Sequence, residues 1–335
     1  MQSMKPSMPR LIALLSCWLF ATMTYAASPT ILQRPYDLDT GHGVLRGTLL
    51  LPQTASPPPL ALLVAGSGPT DRDGNNPEGG NNAYLRRLAE ALASDGIASL
   101  RYDKRGIARS RDAAPDERQL SVDGYVDDLV AWSDRLAADP RFGPQVLVGH
   151  SEGALIASLA APRSKAAALV LIAGSGRSID KVLREQLSVR LPPPLLAKAD
   201  AILDRLRGGH QVPEVPAQLN ALFRPSVQPY LISLFRHDPA QALARVRQPT
   251  LILQGTSDIQ VDVADAQALQ RARPDAELQL ISGMNHILRI VPADVKKQLA
   301  SYNDPGLPLA RDLVQRLVGF ILRTRPQTAS AKGVS

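Results

Sequence analysis

Six short apolar runs recur along the chain: Leu60–Val64, Ala98–Tyr102, Val146–Val148, Ala168–Ile172, Thr250–Leu253 and Glu277–Ile281. Each reads as a buried strand. Stretches of helical periodicity at Tyr84–Ser94, Val122–Ala138 and Leu155–Ala161 alternate with the early runs, and Ala264–Arg271 and Leu309–Leu322 follow later. Strand, helix, strand in succession requires an α/β fold with a mostly parallel central sheet flanked by helices, since parallel neighbours need a crossover and the helix supplies it. An opening hairpin is predicted from Ile31 to Leu51, turning at Thr40-Gly41-His42-Gly43, and Ser56-Pro57-Pro58-Pro59 then forms a stiff connector.

One interval breaks that rhythm. From about Arg177 to Val246 no strand signal appears, while Val182–Leu191, Leu195–Leu206, Ala217–Phe223 and Tyr230–Phe235 read as helical between Pro and Gly breaks. The chain therefore divides into a core over 27–176 and 248–325, a helical cap over 177–247 inserted between late strands, and a disordered tail over 326–335. A helical insert at the carboxyl edge of a sheet can cover a ligand site, because open α/β sheets bind ligands outside that edge. Its apolar residues, Leu195, Leu196, Leu203, Leu222, Phe223, Leu231 and Phe235, suit an aliphatic group, or simply pack the insert onto the sheet.

The first 26 residues are set apart from the fold. Lys5 and Arg10 precede an apolar run over Leu11–Met23, and Thr24-Tyr25-Ala26 offers small residues before a cut at Ala27, the pattern of a secretory signal peptide. That places the chain in the periplasm or outside the cell, with no stable membrane span after cleavage. Leu14-Leu15-Ser16-Cys17 resembles a lipobox, but Trp18-Leu19-Phe20 continue the apolar run past Cys17, so lipidation is the lesser alternative. As Cys17 is the only cysteine, the cleaved chain has no thiol. Disulfides, Cys-ligated zinc and Cys nucleophiles are excluded together. Net charge is +7, yet the cations are scattered and aromatics make up only 4%, so no nucleic-acid platform is drawn.

The chemistry begins at Val146-Leu147-Val148-Gly149-His150-Ser151-Glu152-Gly153. Gly149-x-Ser151-x-Gly153 falls where a strand turns directly into a helix, and a Cβ at either glycine would strike the adjacent strand or helix. Such a bend lifts the Ser151 hydroxyl free of the sheet and leaves the Glu152 N–H at the helix start, able to donate to an oxyanion. The plainer alternative makes Ser151 an ordinary helix N-cap.

A serine nucleophile needs a base and an acid to hold that base. Of five histidines, His42 sits in the hairpin turn, His210 and His237 lie in the insert, and His150 is directed away by the bend. His286, in Gly283-Met284-Asn285-His286 after the last strand, is the candidate base. Asp258, just beyond Thr250–Gly255, is the candidate acid, with Asp262 and Asp265 as rivals suited to starting the next helix. An Asp/Asn-rich loop at Asp71-Arg72-Asp73-Gly74-Asn75-Asn76 invites a calcium reading, but its Gly and acid spacing does not match an EF-hand. It reads as a turn-rich loop bordering the site.

With Val64–Asn75, Arg101-Tyr102-Asp103-Lys104-Arg105-Gly106 and Gly149–Gly153, the sequence resembles the α/β-hydrolase superfamily, in the esterase branch related to serine aminopeptidase-like hydrolases. The resemblance implies an α/β-hydrolase fold and a serine hydrolase with Ser151 as nucleophile, His286 as general base and Asp258 as orienting acid. It also implies an oxyanion hole completed by the loop after the first central strand, where Gly68 is the expected donor beside Glu152 and Ser67 the alternative. Arg105 and Asp103 are read as structural. The expected substrate is a small-molecule ester of short to medium acyl chain, with no cofactor. A serine aminopeptidase or amidase is the alternative, in which Glu185, Glu214 or Asp200 would receive the substrate amine. A secreted binding protein on the same fold is another.

Overall fold

The structure, a computed structural model, describes residues 30–324. The leader expected over 1–26, with Cys17, and the tail expected over 326–335 lie outside the described residues. The opening hairpin pairs β1 (Ile31–Pro35) antiparallel with β4 (Gly47–Pro52). A short ribbon of β2 (Leu38–Asp39) and β3 (Val44–Leu45) caps it, and Thr40 N–H donates to Gly43 O at 3.1 Å across the turn.

The predicted runs all form strands: β5 (Leu60–Val64), β6 (Ala98–Tyr102), β7 (Gln145–His150), β8 (Ala168–Ile172), β9 (Thr250–Gly255) and β10 (Glu277–Ile281). They join β1 and β4 in one eight-stranded sheet of order β1-β4-β6-β5-β7-β8-β9-β10, in which only β4 runs against the rest. Every residue of β5, β6, β7, β8 and β9 is buried, as parallel strands covered on both faces should be.

Alternate residues serve opposite layers. Ala61, Leu63, Val146 and Val148 face α1 (Tyr84–Ser94) and α11 (Arg311–Arg323), whereas Leu60, Leu62, Val64 and Leu147 face α2 (Val122–Ala137), α3 (Glu152–Ala160) and α9 (Val263–Ala272). Between β8 and β9 lie α4 (Ile179–Ser188), α5 (Pro193–Arg207), α6 (Asn220–Phe223), α7 (Gln228–Phe235) and α8 (Pro239–Ala244), and α10 (Val295–Ser301) precedes α11. The helix α8 has no counterpart in the periodicity. It is six residues long and is set by local chemistry, with Asp238 accepting the Gln241 N–H and Pro239 in the first turn.

The leucines of the insert take the packing role. Leu203, Phe223, Leu231 and Phe235 are buried in the cluster that covers α2 and α3, and Leu195 and Leu222 pack against it. Chain order reverses around β5, whose neighbours are β6 on one side and β7 on the other. That reversal opens a crevice at the carboxyl edge, where α/β sheets place their ligands.

Trp132 anchors the layer beneath that crevice, fully buried with its ring 5.5 Å from Tyr102 and 6.2 Å from Tyr36. Trp132→Ala should therefore lower unfolding stability by about 3–5 kcal/mol. Urea denaturation measures it, and a loss under about 1 kcal/mol would contradict this packing.

Candidate active site

Gly149 is the penultimate residue of β7 and Gly153 lies in the first turn of α3. A Cβ on Gly149 would come within 2.7 Å of Ala154 Cα, and one on Gly153 within 2.7 Å of Ala65 O. Neither fits. The two glycines let strand and helix touch, and the residue between them takes the strain, with Ser151 at φ 56° and ψ −121°. Its hydroxyl makes no capping bond to α3, which removes the N-cap alternative. Backbone bonds hold the bend instead: Ser151 N–H to Ile172 O and Ala154 N–H to Ser151 O, each 2.9 Å. The Glu152 N–H precedes the first closed turn and has no intrahelical acceptor.

Ser151 lines two adjoining cavities. One, of about 160 Å³, is bounded by Ser67, Glu152, Leu155 and the α4 residues Ile179, Val182 and Leu183. The other, of about 110 Å³, adds His286, His150, Gly66 and Tyr302. Ser67 borders both, whereas Gly68, at φ 64°, lines neither and faces Asn76. Of the two loop residues considered as donors, Ser67 is therefore the one at the crevice.

His286 and Asp258 meet as expected. His286 Nδ1 lies 2.8 Å from Asp258 Oδ2, and both side chains are buried. Burial pushes the Asp258 carboxyl up, but the His286 charge and hydrogen bond, with the N–H groups of Val261 and Gln260, outweigh it and hold the pKa below the usual value. An ionised Asp258 keeps the His286 proton on Nδ1 and leaves Nε2 as a base. The rivals act elsewhere: Asp262 caps α9 by accepting the Asp265 N–H at 3.0 Å, and Asp265 pairs with Arg177 at 2.9 Å. His42, His210 and His237 border neither cavity.

The acids considered for an amine subsite are also placed. Glu185 pairs with Arg177 at 2.5 Å and Asp200 with Arg184 at 3.0 Å, while Glu214 lines a separate groove beside Lys198. Among the described residues, the only carboxylate bordering either cavity is Glu152, whose Oε1 lies 3.8 Å from Lys104 Nζ.

Two buried residues escaped the sequence reading. His150 Nε2 donates to His286 O at 2.8 Å, and His150 Nδ1 accepts from Tyr84 OH at 2.8 Å, so the ring clamps the base's own backbone. Burial, reinforced by His286, depresses its pKa to about 3. Lys104 Nζ donates to Gly66 O in the loop after β5. The motif Asp103-Lys104-Arg105 was visible, but only its neighbours were assigned. Asp103 pairs with Arg72 at 2.7 Å and Arg105 Nε with Asp128 at 2.6 Å, structural roles as expected.

The Asp71–Asn76 loop binds its own backbone, with Asp71 Oδ1 accepting from the N–H groups of Asp73 and Asn75 at 2.9 and 2.8 Å. Among the described residues no cluster of three or more metal-binding side chains occurs. No described helix is long and apolar enough to cross a membrane.

Residues 81–290 match the family described as Serine aminopeptidase, S33. The chain belongs to this family. Within reach of this S33 chain is Esterase EstD of Thermotoga maritima, 29% identical over 248 residues. That alignment covers 73% of this chain and 58% of EstD, so the chain spans little more than half of the curated relative it matches. Among solved structures, the α/β hydrolase GrgF from Penicillium sp. sh18 aligns with a TM-score of 0.59 at 20% identity, over 88% of this chain and 99% of GrgF. Est1E from Butyrivibrio proteoclasticus, solved with ferulic acid bound, aligns with a TM-score of 0.57 at 17% identity, over 86% of this chain and 99% of Est1E. These structures share the α/β-hydrolase fold.

The His150 clamp has a pH signature. The unfolded chain protonates this ring near pH 6.5 and the folded chain only near 3, so stability is lost as pH falls through that window. The slope from this group approaches about 1.4 kcal/mol per pH unit. Urea unfolding between pH 7 and 4 should show it, and His150→Gln should flatten it. A slope untouched by the substitution contradicts a neutral, clamped ring.

Proposed function

We propose that this protein is a serine carboxylesterase that works through an acyl-enzyme on Ser151. The observation that carries the proposal is the His286–Asp258 pair at 2.8 Å, sharing a crevice with a serine whose strained backbone leaves its hydroxyl uncapped. His286 Nε2 takes the Ser151 proton as Oγ attacks the ester carbonyl. The N–H groups of Glu152 and Ser67 stabilise the oxyanion, and Asp258 holds the imidazole tautomer. His286 then gives its proton to the leaving alcohol and later takes one from the water that releases the acid.

This chemistry fixes which cavity takes which half of the substrate. The alcohol must depart beside His286, so the 160 Å³ cavity that His286 does not line receives the acyl group. Pockets for drug-sized ligands run to about 300–1,000 Å³, so an acyl chain of short to medium length fits. Its walls are supplied by α4 rather than by the buried leucines of the insert. On the alcohol side Gly79, Gln260 and Tyr302 continue into an open groove of about 570 Å³. A bulky alcohol is accommodated there.

An ester is favoured over an aminoacyl substrate because Glu152, the carboxylate bordering the cavity assigned to the acyl half, already faces Lys104. The signal read over 1–26 supports a periplasmic or secreted enzyme, with a lipid anchor at Cys17 the lesser alternative.

Ser151→Ala should cut p-nitrophenyl butyrate turnover by about 10⁴-fold or more with the fold retained, and abolish labelling by a fluorophosphonate probe. Unchanged turnover would refute the nucleophile. A faster reaction with an aminoacyl p-nitroanilide would replace the esterase by an aminopeptidase. Leu183→Ala, which enlarges the acyl cavity, should raise kcat/KM for the octanoate relative to the butyrate by about tenfold. An unmoved ratio would place the acyl chain elsewhere.

A further inference from the structure

Lys104, two residues beyond the end of β6, is 1% exposed. Its ammonium donates to Gly66 O, lies 3.8 Å from Glu152 Oε1 and stands 5.3 Å from the Tyr125 ring centroid. Burial lowers its pKa and Glu152 opposes that shift. Burying a charge is costly before any partner offsets it, and a well-packed apolar residue would serve the core as well or better. The steps of the proposed reaction so far give this cation nothing to do.

The loop it touches explains its presence. In a planar trans peptide the N–H points opposite the C=O, so the direction of Gly66 O sets the direction of Ser67 N–H. Glycine at 66 gives that peptide freedom to rotate. A side chain there would be crowded, because its Cβ would come within 3.2 Å of Ser151 Cβ and 3.4 Å of His150 Nδ1. The next carbonyl is already fixed by Thr70 Oγ1, which donates to Ser67 O at 2.7 Å. The remaining free peptide is Gly66–Ser67, and Lys104 takes its oxygen.

We infer that Lys104 is a positioning residue that anchors the Gly66 carbonyl and thereby aims the Ser67 N–H at the developing oxyanion, a role that rests on the esterase reading above. Glu152 completes the device. Its backbone N–H is the second donor and its side chain faces the cation that orients the first, so one ion pair spans both sides of the hole. Without Lys104 the Gly66–Ser67 peptide is free to turn its carbonyl oxygen into the hole, where it repels the charge it should accommodate.

The test compares the parent enzyme with Lys104→Met and with the double variant Lys104→Met/Glu152→Gln. The single variant leaves a buried carboxylate unpaired and can fail to fold, whereas the double variant removes both charges together. Thermal melting, kcat and KM for p-nitrophenyl butyrate, and the inhibition constant of an alkyl trifluoromethyl ketone are measured. The ketone adds to the serine as a hemiketal oxyanion and so reports the hole directly. The folded double variant should lose about 10²-fold in kcat with KM within about twofold, and ketone affinity should fall by about the same 10²-fold. A merely structural role would move melting without this split. Retention of kcat within about threefold, or loss of kcat with ketone affinity unchanged, overturns the proposal. A parent enzyme that neither hydrolyses the ester nor binds the ketone overturns the esterase reading itself and this role with it.

Discussion

The close approach of α3 to the ends of β5 and β7 is the constraint on which the site depends. It exists only because positions 149 and 153 carry no side chain, and it places Ser151 at φ 56°. Strain of this kind costs about 1–3 kcal/mol and persists only where surrounding structure over-determines it. Here the sheet does so. Ser151 N–H is bonded to Ile172 O on the neighbouring strand, and Ala154 N–H turns the helix onto Ser151 O. Hydroxyl exposure and a helix N-terminus aimed at the crevice are two consequences of one bend.

The base has no comparable support from its strand. The edge strand β10 is half exposed, and His286 follows it on a loop. That loop is held by buried groups within it and elsewhere: Arg289 N–H bonds Asn285 Oδ1 at 2.9 Å inside the loop, while His150 bonds His286 O and Arg289 Nη2 reaches Asn82 O at 2.9 Å. A neutral His150 suits this place. Its ring centroid lies 4.8 Å from that of His286, so a permanent charge on it would oppose the imidazolium that His286 must become.

Much of this was legible from sequence because it rests on local rules. Runs such as Leu60–Val64 and Ala168–Ile172 give strands at their predicted limits, and the Gly149–Gly153 pattern fixes the bend through sterics alone. Asp258 and His286 were readable from their positions after strands. What was illegible depends on contacts between distant segments. Lys104 and Gly66 are bonded across two strands, and His150 and His286 across most of the domain, so no spacing announces either bond. That Ser67 rather than Gly68 borders the crevice depends on how the loop folds, which composition does not announce. The two roles left open for the leucines of the insert were inseparable for a related reason: such leucines look alike until packing assigns some to the core.

The insert is fastened unevenly. Helix α7 is tied to α2 by buried contacts: Ser233 Oγ accepts the Val122 N–H at 3.0 Å and the Tyr230 ring lies 5.7 Å from that of Tyr125. Helix α4 fully buries Asp180 and Val182, packs Ile179, Leu183 and Leu187 against the core from partly buried positions, and adds partly exposed pairs, Arg177 with Glu185 and Arg184 with Asp200. Such pairs contribute about 0–1 kcal/mol each. The side of the crevice that carries Lys104 and the Gly66–Ser67 loop is thus backed by fully buried core, while the side lined by α4 is only partly buried. For the proposed reaction that division would keep the charge-stabilising groups fixed while the α4 side yields to acyl chains of different length.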